Sequence, residues 1–421
     1  MSRIVLATTG SIGDLRPYLA VGAGLRARGH SIAVATASAY RQEVEEHGLE
    51  FCSLRPFVAP CEYTPEIFRR ANDLKTGSTY LVREMVLPKV DEMYADLLDA
   101  CHGADLLLIH PILFAAPAAA EKLKIKWISV MLAPGSCTSA YDPPVMPPVS
   151  WLHGLRHLGP LPNRLLIKAL RAITRSWMKP IDELRAREGL APARDNPIQM
   201  FSPHGTLALF SRVLGQPQPD WPPHTVLTGF PFYENGKGYL DPALRKFLDQ
   251  GEPPVVFTLG SSAVLHPGRF YEESLQAVRR LGCRAVFLTG PDPANRPAES
   301  PPDSVFVTSY AEFSNLFPQA AAVVHQGGIG TTAEAMRAGT PSLVVPFMHD
   351  QPDNAFRAKR LGIARVAARA KYNAEVAERN LSLLLSRREY AARAKEVAAQ
   401  IACEQGLNTA CTAVEQYACS R

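Results

Sequence analysis

The chain has no CxxC cysteine pair, no long run of like charge and no apolar stretch long enough to cross a membrane as a helix. Its 8 cysteines are scattered, which argues against a disulfide framework and suits a reducing cytoplasm. Cys403, Cys411 and Cys419 recur every eight residues and would share a face if that tail were one helix. The net charge of +5, from 45 basic and 40 acidic residues, is too diffuse to imply nucleic acid. The most apolar segment, ADLLLIHPILFAAPAAA (104–120), is split by His110 and Pro111 into strand, turn and helix. The opening MSRIVLATTG runs directly into a strand, which argues against a signal peptide. Gly10 and Gly13 do not make a Gly-x-Gly-x-x-Gly turn, and SIAVATASAY ends without an acid, so a dinucleotide-dependent oxidoreductase is a poor fit. Nor is there an Asp-x-Asp pair to hold a divalent metal.

What is present is an alternation of short apolar runs and longer amphipathic ones. IVLATT (4–9), SIAVAT (31–36), DLLLI (105–109) and KWISVML (126–132) read as buried strands. The pattern restarts with VVFTLG (255–260), CRAVFLTG (283–290), SVFVTSY (304–310), AAVVH (321–325) and SLVVP (342–346). Wholly apolar strands separated by helices predict parallel sheets covered on both faces, here two doubly wound α/β halves. The proline-rich stretch 215–238 reads as the linker, with the division at 225/226. A third segment, 386–421, is helical in composition. Residues 135–162 read as loop, and 163–188 as a basic amphipathic helix or helix pair. That helix is either a surface with one solvated basic face, a lid over an apolar acceptor, or a face that touches membrane.

The stretch HQGGIGTTAEAMRAGTP (325–341) places bare backbone between a strand and a helix. Gly327, Gly328 and Gly330 leave no side chain between backbone N–H groups and a ligand. A helix beginning at Thr331 or Thr332 would present free donors and a positive dipole end to a phosphate, with His325 as a further donor. The plainer reading is a capping box, Thr331-x-x-Glu334, closed by Gly339. Further on, Asp350 and Gln351 follow a strand, where a carboxylate beside a carboxamide suits vicinal hydroxyls; alternatively one of them caps the helix opened by Pro352.

These residues resemble the donor signature of nucleotide-sugar-dependent glycosyltransferases of the GT-B fold. The match comprises His325, Gly327, Glu334, Gly339-Thr340-Pro341, Pro346, Asp350, Gln351 and Asn354. HQGGIGT is similar to the bacterial form, and TTGSIGDLRPYLAVGAGLRARGH resembles the bacterial acceptor-domain opening. Enzymes that rhamnosylate hydroxyacyl lipids, and sterol and macrocycle glycosyltransferases, share this plan.

The resemblance implies two Rossmann-like domains facing across a cleft, with acceptor binding in 1–225, donor binding in 226–385, and helices 386–421 crossing back. It implies that Tyr310 stacks on the base and the Ala311 backbone pairs with its edge. Glu334 would bind ribose. Ser261, His325, Thr331, Thr332 and the Gly327–Gly330 backbone would hold the diphosphate, and Asp350 and Gln351 the sugar. No cofactor and no metal is implied beyond the nucleotide sugar itself.

Inverting transfer needs one general base. Plant members place a histidine in the loop after the first strand; here Asp14 takes that place. It is read either as the base or as the N-cap of a helix over 15–28. His110, ending another strand of the same half, is the second candidate. Glu334 and Gln351 favour UDP-glucose, whereas the whole-chain likeness favours dTDP-rhamnose. A non-catalytic sugar-nucleotide or lipid-binding protein is the competing class. The acceptor is expected to be apolar and hydroxylated, held by loops in 55–90 and 135–190 through Phe57, Tyr63, Phe68, Tyr80, Trp151 and Trp177.

Overall fold

A computed structural model describes residues 1–57, 59–193, 200–232 and 240–419. The chain divides into two compact units, Met1–Tyr233 with Glu404–Arg421, and Glu234–Cys403.

The first unit carries a seven-stranded, wholly parallel sheet. Its strands are β1 (Arg3–Ala7), β2 (Ser31–Thr36), β3 (Glu50–Ser53), β4 (Leu106–Ile109), β5 (Lys126–Met131), β6 (Thr206–Ala208) and β7 (Thr225–Leu227). The order is β3-β2-β1-β4-β5-β6-β7. Connections run outward in one direction from β1 and in the other from β4, so the crevice at the carboxyl ends of a doubly wound sheet falls between these two strands.

The second unit repeats the plan with six strands, also all parallel. These are β8 (Val255–Thr258), β9 (Ala285–Leu288), β10 (Val305–Thr308), β11 (Ala322–His325), β12 (Ser342–Val344) and β13 (Ala364–Val366). The order β10-β9-β8-β11-β12-β13 puts the reversal between β8 and β11. Central strands of both sheets are buried along their length, as their unbroken apolar runs require.

Six helices matter below: α1 (Ile12–Ala27), α2 (Pro160–Arg175), α3 (Ile329–Ala338), α4 (Gln351–Arg360), α5 (Arg388–Ala402) and α6 (Gly406–Cys419). The basic segment 163–188 is a helix pair, since a 3-10 turn at Ser176–Met178 separates α2 from a helix over Lys179–Arg187. Residues 135–162, expected as loop, contain 3-10 turns over Pro147–Leu158.

Two boundaries differ from expectation. Thr225–Leu227 falls where the linker was placed, yet it forms β7 beside β6, so the first unit extends to Tyr233; the end of that linker lies outside the described residues. The helix over Arg388–Ala402 stays with the second unit, because α5 lies on α3 closely enough that a Cβ on Gly339 would meet Ala398 at 3.3 Å. Only α6 joins the first unit, where Cys411 is buried and its thiol donates to the Val21 carbonyl of α1. The tail is therefore two helices, and Cys403 and Cys419 are exposed rather than aligned with Cys411.

Candidate functional site

In the second unit the residues singled out by sequence gather at the carboxyl ends of β8, β10, β11 and β12. The chain leaves β11 at His325, turns through Gln326-Gly327-Gly328 and enters α3 with Gly328 as N-cap. The helix thus starts at Ile329, earlier than expected. Thr331 sits at its third position and Glu334 at its sixth, so the capping box does not form; the first intrahelical bond is Thr332 N–H to the Gly328 carbonyl at 2.9 Å. The N–H groups of Ile329, Gly330 and Thr331 precede it and are the helix's orphan donors.

Each glycine of this turn has a separate reason. Gly327 has φ +89°, and a Cβ there would meet Val344 at 2.7 Å and the Gln351 carbonyl at 3.1 Å. A Cβ on Gly328 would meet the Gln326 carboxamide nitrogen at 2.8 Å. A Cβ on Gly330 would meet nothing within 4 Å. Packing therefore accounts for Gly327 and Gly328, but the bareness of Gly330 serves only the open space before the helix.

His325 is buried, and its Nδ1 accepts from the Gly327 N–H at 3.0 Å. That bond assigns the proton to Nε2, so a neutral imidazole keeps one donor. Burial pushes its pKa down to about 3. The group therefore stays neutral at physiological pH, and its contribution to folding is lost as pH falls below the unfolded value of about 6.5.

Two side chains that were given no role from the sequence build the turn. The buried Asn354 donates to the Gly327 carbonyl at 3.0 Å and to Asp350 Oδ2 at 2.7 Å, tying the glycine turn to the acid after β12. Gln326 is buried beside Gly260, which has φ +63° at the end of β8; a Cβ on Gly260 would meet the Gln326 nitrogen at 2.3 Å. The Gln326 carbonyl oxygen and the Thr332 hydroxyl are buried without a hydrogen-bond partner among the described residues. Asn354 was legible within the quoted motif, whereas Gln326 carried no signal beyond standing between histidine and glycine.

The remaining residues divide. Ser261 is exposed one residue beyond Gly260. Tyr310 follows β10 and is half exposed; its hydroxyl donates to Glu312 at 2.8 Å, and Ala311 beside it is buried. Asp350 occupies the N-cap position of α4 without a side-chain cap bond. Gln351 differs from expectation: it is buried, and its Oε1 accepts from the Phe347 and Met348 N–H groups at 2.8 and 3.0 Å. Its carbonyl braces that turn, leaving only its NH₂ for a sugar hydroxyl.

In the first unit Asp14 and His110 flank the reversal between β1 and β4. Asp14 is not an N-cap: α1 begins at Ile12 with Ser11 capping, and Asp14 sits at the third position. Its Oδ2 accepts from the Ser11 N–H at 2.8 Å and the Ser11 hydroxyl at 2.9 Å. The Ser11-x-x-Asp14 spacing is a capping-box signature that the sequence reading missed. Gly10 has φ +109°, and a Cβ there would meet Asp14 Oδ2 at 2.5 Å; the Tyr40 hydroxyl holds the Gly10 carbonyl at 3.1 Å. Burial pulls the pKa of His110 below its ordinary value, with the charge of Asp14 acting in the opposite sense. Tyr63 is pushed up by burial and then by the charges of Tyr80 and Asp14, so the 55–90 segment comes within electrostatic reach of this turn. The other aromatics expected to line the acceptor site are partly committed elsewhere: Phe68 is buried, and Phe57 and Trp177 pack on the core.

Comparison with known proteins comes from two family matches and from whole-chain relatives. Residues 4–141 match the glycosyltransferase family 28 N-terminal domain, and residues 277–411 the erythromycin biosynthesis protein CIII-like C-terminal domain. The chain is 34% identical to the O-mycaminosyltylonolide 6-deoxyallosyltransferase of Streptomyces fradiae, over 100% of this chain and 98% of that one. It is 28% identical to the sterol 3-beta-glucosyltransferase of Aspergillus oryzae, over 98% of this chain but only 30% of that longer protein. The crystal structure of the glycosyltransferase VinC in complex with dTDP superposes with a TM-score of 0.69 at 19% identity, covering 99% of both chains.

The two glycine positions separate a folding role from a binding one. Gly330→Ala should leave the melting temperature unchanged or raise stability by up to about 1 kcal/mol, while weakening nucleoside diphosphate binding about tenfold or more. Gly327→Ala should destabilise the second unit by about 1–3 kcal/mol. Thermal melting and titration calorimetry on both variants check this; equal effects of the two on binding and stability would contradict it.

Proposed function

The chain belongs to the nucleotide-sugar glycosyltransferases of the family 28 and erythromycin CIII-like type, and from that premise we propose that it moves a hexose from a UDP-linked donor, with inversion and without a metal ion, to a hydroxyl of an apolar small molecule or lipid. The observation that carries this reading is the β11–α3 turn. Its orphan N–H groups, the Nε2 donor of neutral His325 and the open approach over Gly330 suit a diphosphate that gains charge as it leaves.

In this reading Asp14 removes the proton of the acceptor hydroxyl as that oxygen attacks the anomeric carbon. The bond from that carbon to the diphosphate oxygen breaks, and the negative charge passes to the nucleoside diphosphate. Ser11 holds Asp14 Oδ2 through two hydrogen bonds, which fixes the carboxylate and leaves Oδ1 for the acceptor. Tyr310 offers an exposed ring to the base, and Asp350, held by Asn354, offers a carboxylate to the sugar hydroxyls.

The base and sugar of the donor rest on a narrower argument. Glu334 lies in the second turn of α3 and is not a capping residue; in this reading, as the family resemblance implies, it contacts ribose hydroxyls that deoxythymidine nucleotides cannot fully supply. A second reading, a dTDP-linked deoxyhexose, is supported by the names of the Streptomyces relative and of the dTDP complex. Incubation with UDP-glucose or dTDP-rhamnose and a pool of hydroxylated apolar compounds, followed by mass spectrometry, should give a hexosylated product with UDP-glucose. Binding without product would leave a non-catalytic binding protein. In competition UDP should displace dTDP more effectively than the reverse; a preference for dTDP would transfer the assignment to the second reading.

Asp14→Asn keeps an oxygen for the Ser11 N–H, so α1 should keep its start. The substitution should lower turnover by about 10²-fold or more with nucleotide affinity unchanged. Near-normal turnover would move the base role to His110.

A further inference from the structure

Large apolar side chains that stand exposed are concentrated in one part of the first unit. Trp151, Leu158, Leu161, Leu165 and Ile173 are each more than 60% exposed. Four of the five lie on α2 or at the residues just before it, and Trp151 on the preceding 3-10 turns.

The helix is oriented against its own polarity. Toward the protein α2 buries Asn163, whose NH₂ donates to the Ala140 and Gly159 carbonyls, and Thr174, whose hydroxyl donates to the Leu170 carbonyl at 2.8 Å. Outward, Leu161, Leu165, Ala169, Ala172 and Ile173 form a continuous band at helical spacing. Scattered exposed leucines need no explanation, but a band of this kind beside buried polar residues marks an interaction surface.

Charge narrows the partner. From residue 143 to residue 181 the sequence has no Asp or Glu and has six Arg or Lys. Arg164, Lys168, Arg171 and Arg175 project along one edge of the apolar band. Arg175 pairs with Asp182 beyond the acid-free stretch, at 2.9 Å. No helix among the described residues is long and apolar enough to cross a membrane. An apolar band flanked by cations and lacking any acid matches a helix lying in the interface of an anionic bilayer, with its leucines among the acyl chains and its cations at the phosphates.

We propose that α2 and the 3-10 turns before it form a membrane-surface binding face that selects anionic lipid. Flotation of the full chain with vesicles tests it. The protein should float with mixed phosphatidylglycerol–phosphatidylcholine vesicles and far less with phosphatidylcholine alone, and high salt should weaken the association. The triple substitution Leu161→Gln, Leu165→Gln, Ile173→Gln should reduce vesicle binding about tenfold or more, and the pair Lys168→Glu, Arg171→Glu should abolish the lipid selectivity. These outward substitutions should leave the melting temperature and nucleotide binding by the second unit intact, which shows that the variants fold. Equal and weak flotation with both vesicle types would overturn the proposal. So would sedimentation showing a dimer that the triple substitution dissociates, because the band would then be covered by a second copy of the chain.

Discussion

Three backbone N–H groups at the start of α3 have no partner within the helix, and at Gly330 among them a Cβ would meet nothing within 4 Å. Helix ends are ordinarily capped by a side chain. Here the capping position is glycine, the next exposed position is again glycine, and the threonines that look like caps in the sequence lie one turn inside and are buried. The turn is held from behind, by Asn354 on the Gly327 carbonyl and by His325 on the Gly327 N–H. These two bonds fix the turn that presents the donors, which is the preorganisation that the proposed stabilisation of a leaving diphosphate requires.

Much of the fold was legible because both sheets are parallel. A strand buried on two faces must be apolar throughout, so β1, β2, β4, β5, β8, β9, β11 and β12 stand out as unbroken runs. Of the outer strands only β10 stood out. β3 and β13 are partly exposed at sheet edges, and β6 and β7 are three residues long, too short to show a period. The unit boundary was misplaced for this reason, since β7 was hidden in a proline-rich stretch.

The site was legible as a list and less so as a mechanism of support. Spacing singled out His325, the glycines, Glu334 and Asp350 as candidates. It did not show that Gln351 spends its carbonyl on two backbone donors, nor that Ser11 clamps Asp14. Both are hydrogen bonds over three or four residues, whose direction depends on where a helix begins, and helix starts are the least certain feature of a sequence. The same three-residue error at α3 had suggested a capping box for Glu334.

In the proposed function the β11–α3 turn holds a diphosphate through its orphan N–H donors and the Nε2 proton of neutral His325. Calorimetric titration of UDP and dTDP into the His325→Asn variant tests it most directly, because asparagine keeps an acceptor for the Gly327 N–H and removes the Nε2 donor. The account predicts that the better-bound nucleotide loses about 1.5–3 kcal/mol of affinity while the melting temperature changes little. Affinity equal to that of the unsubstituted chain would contradict it.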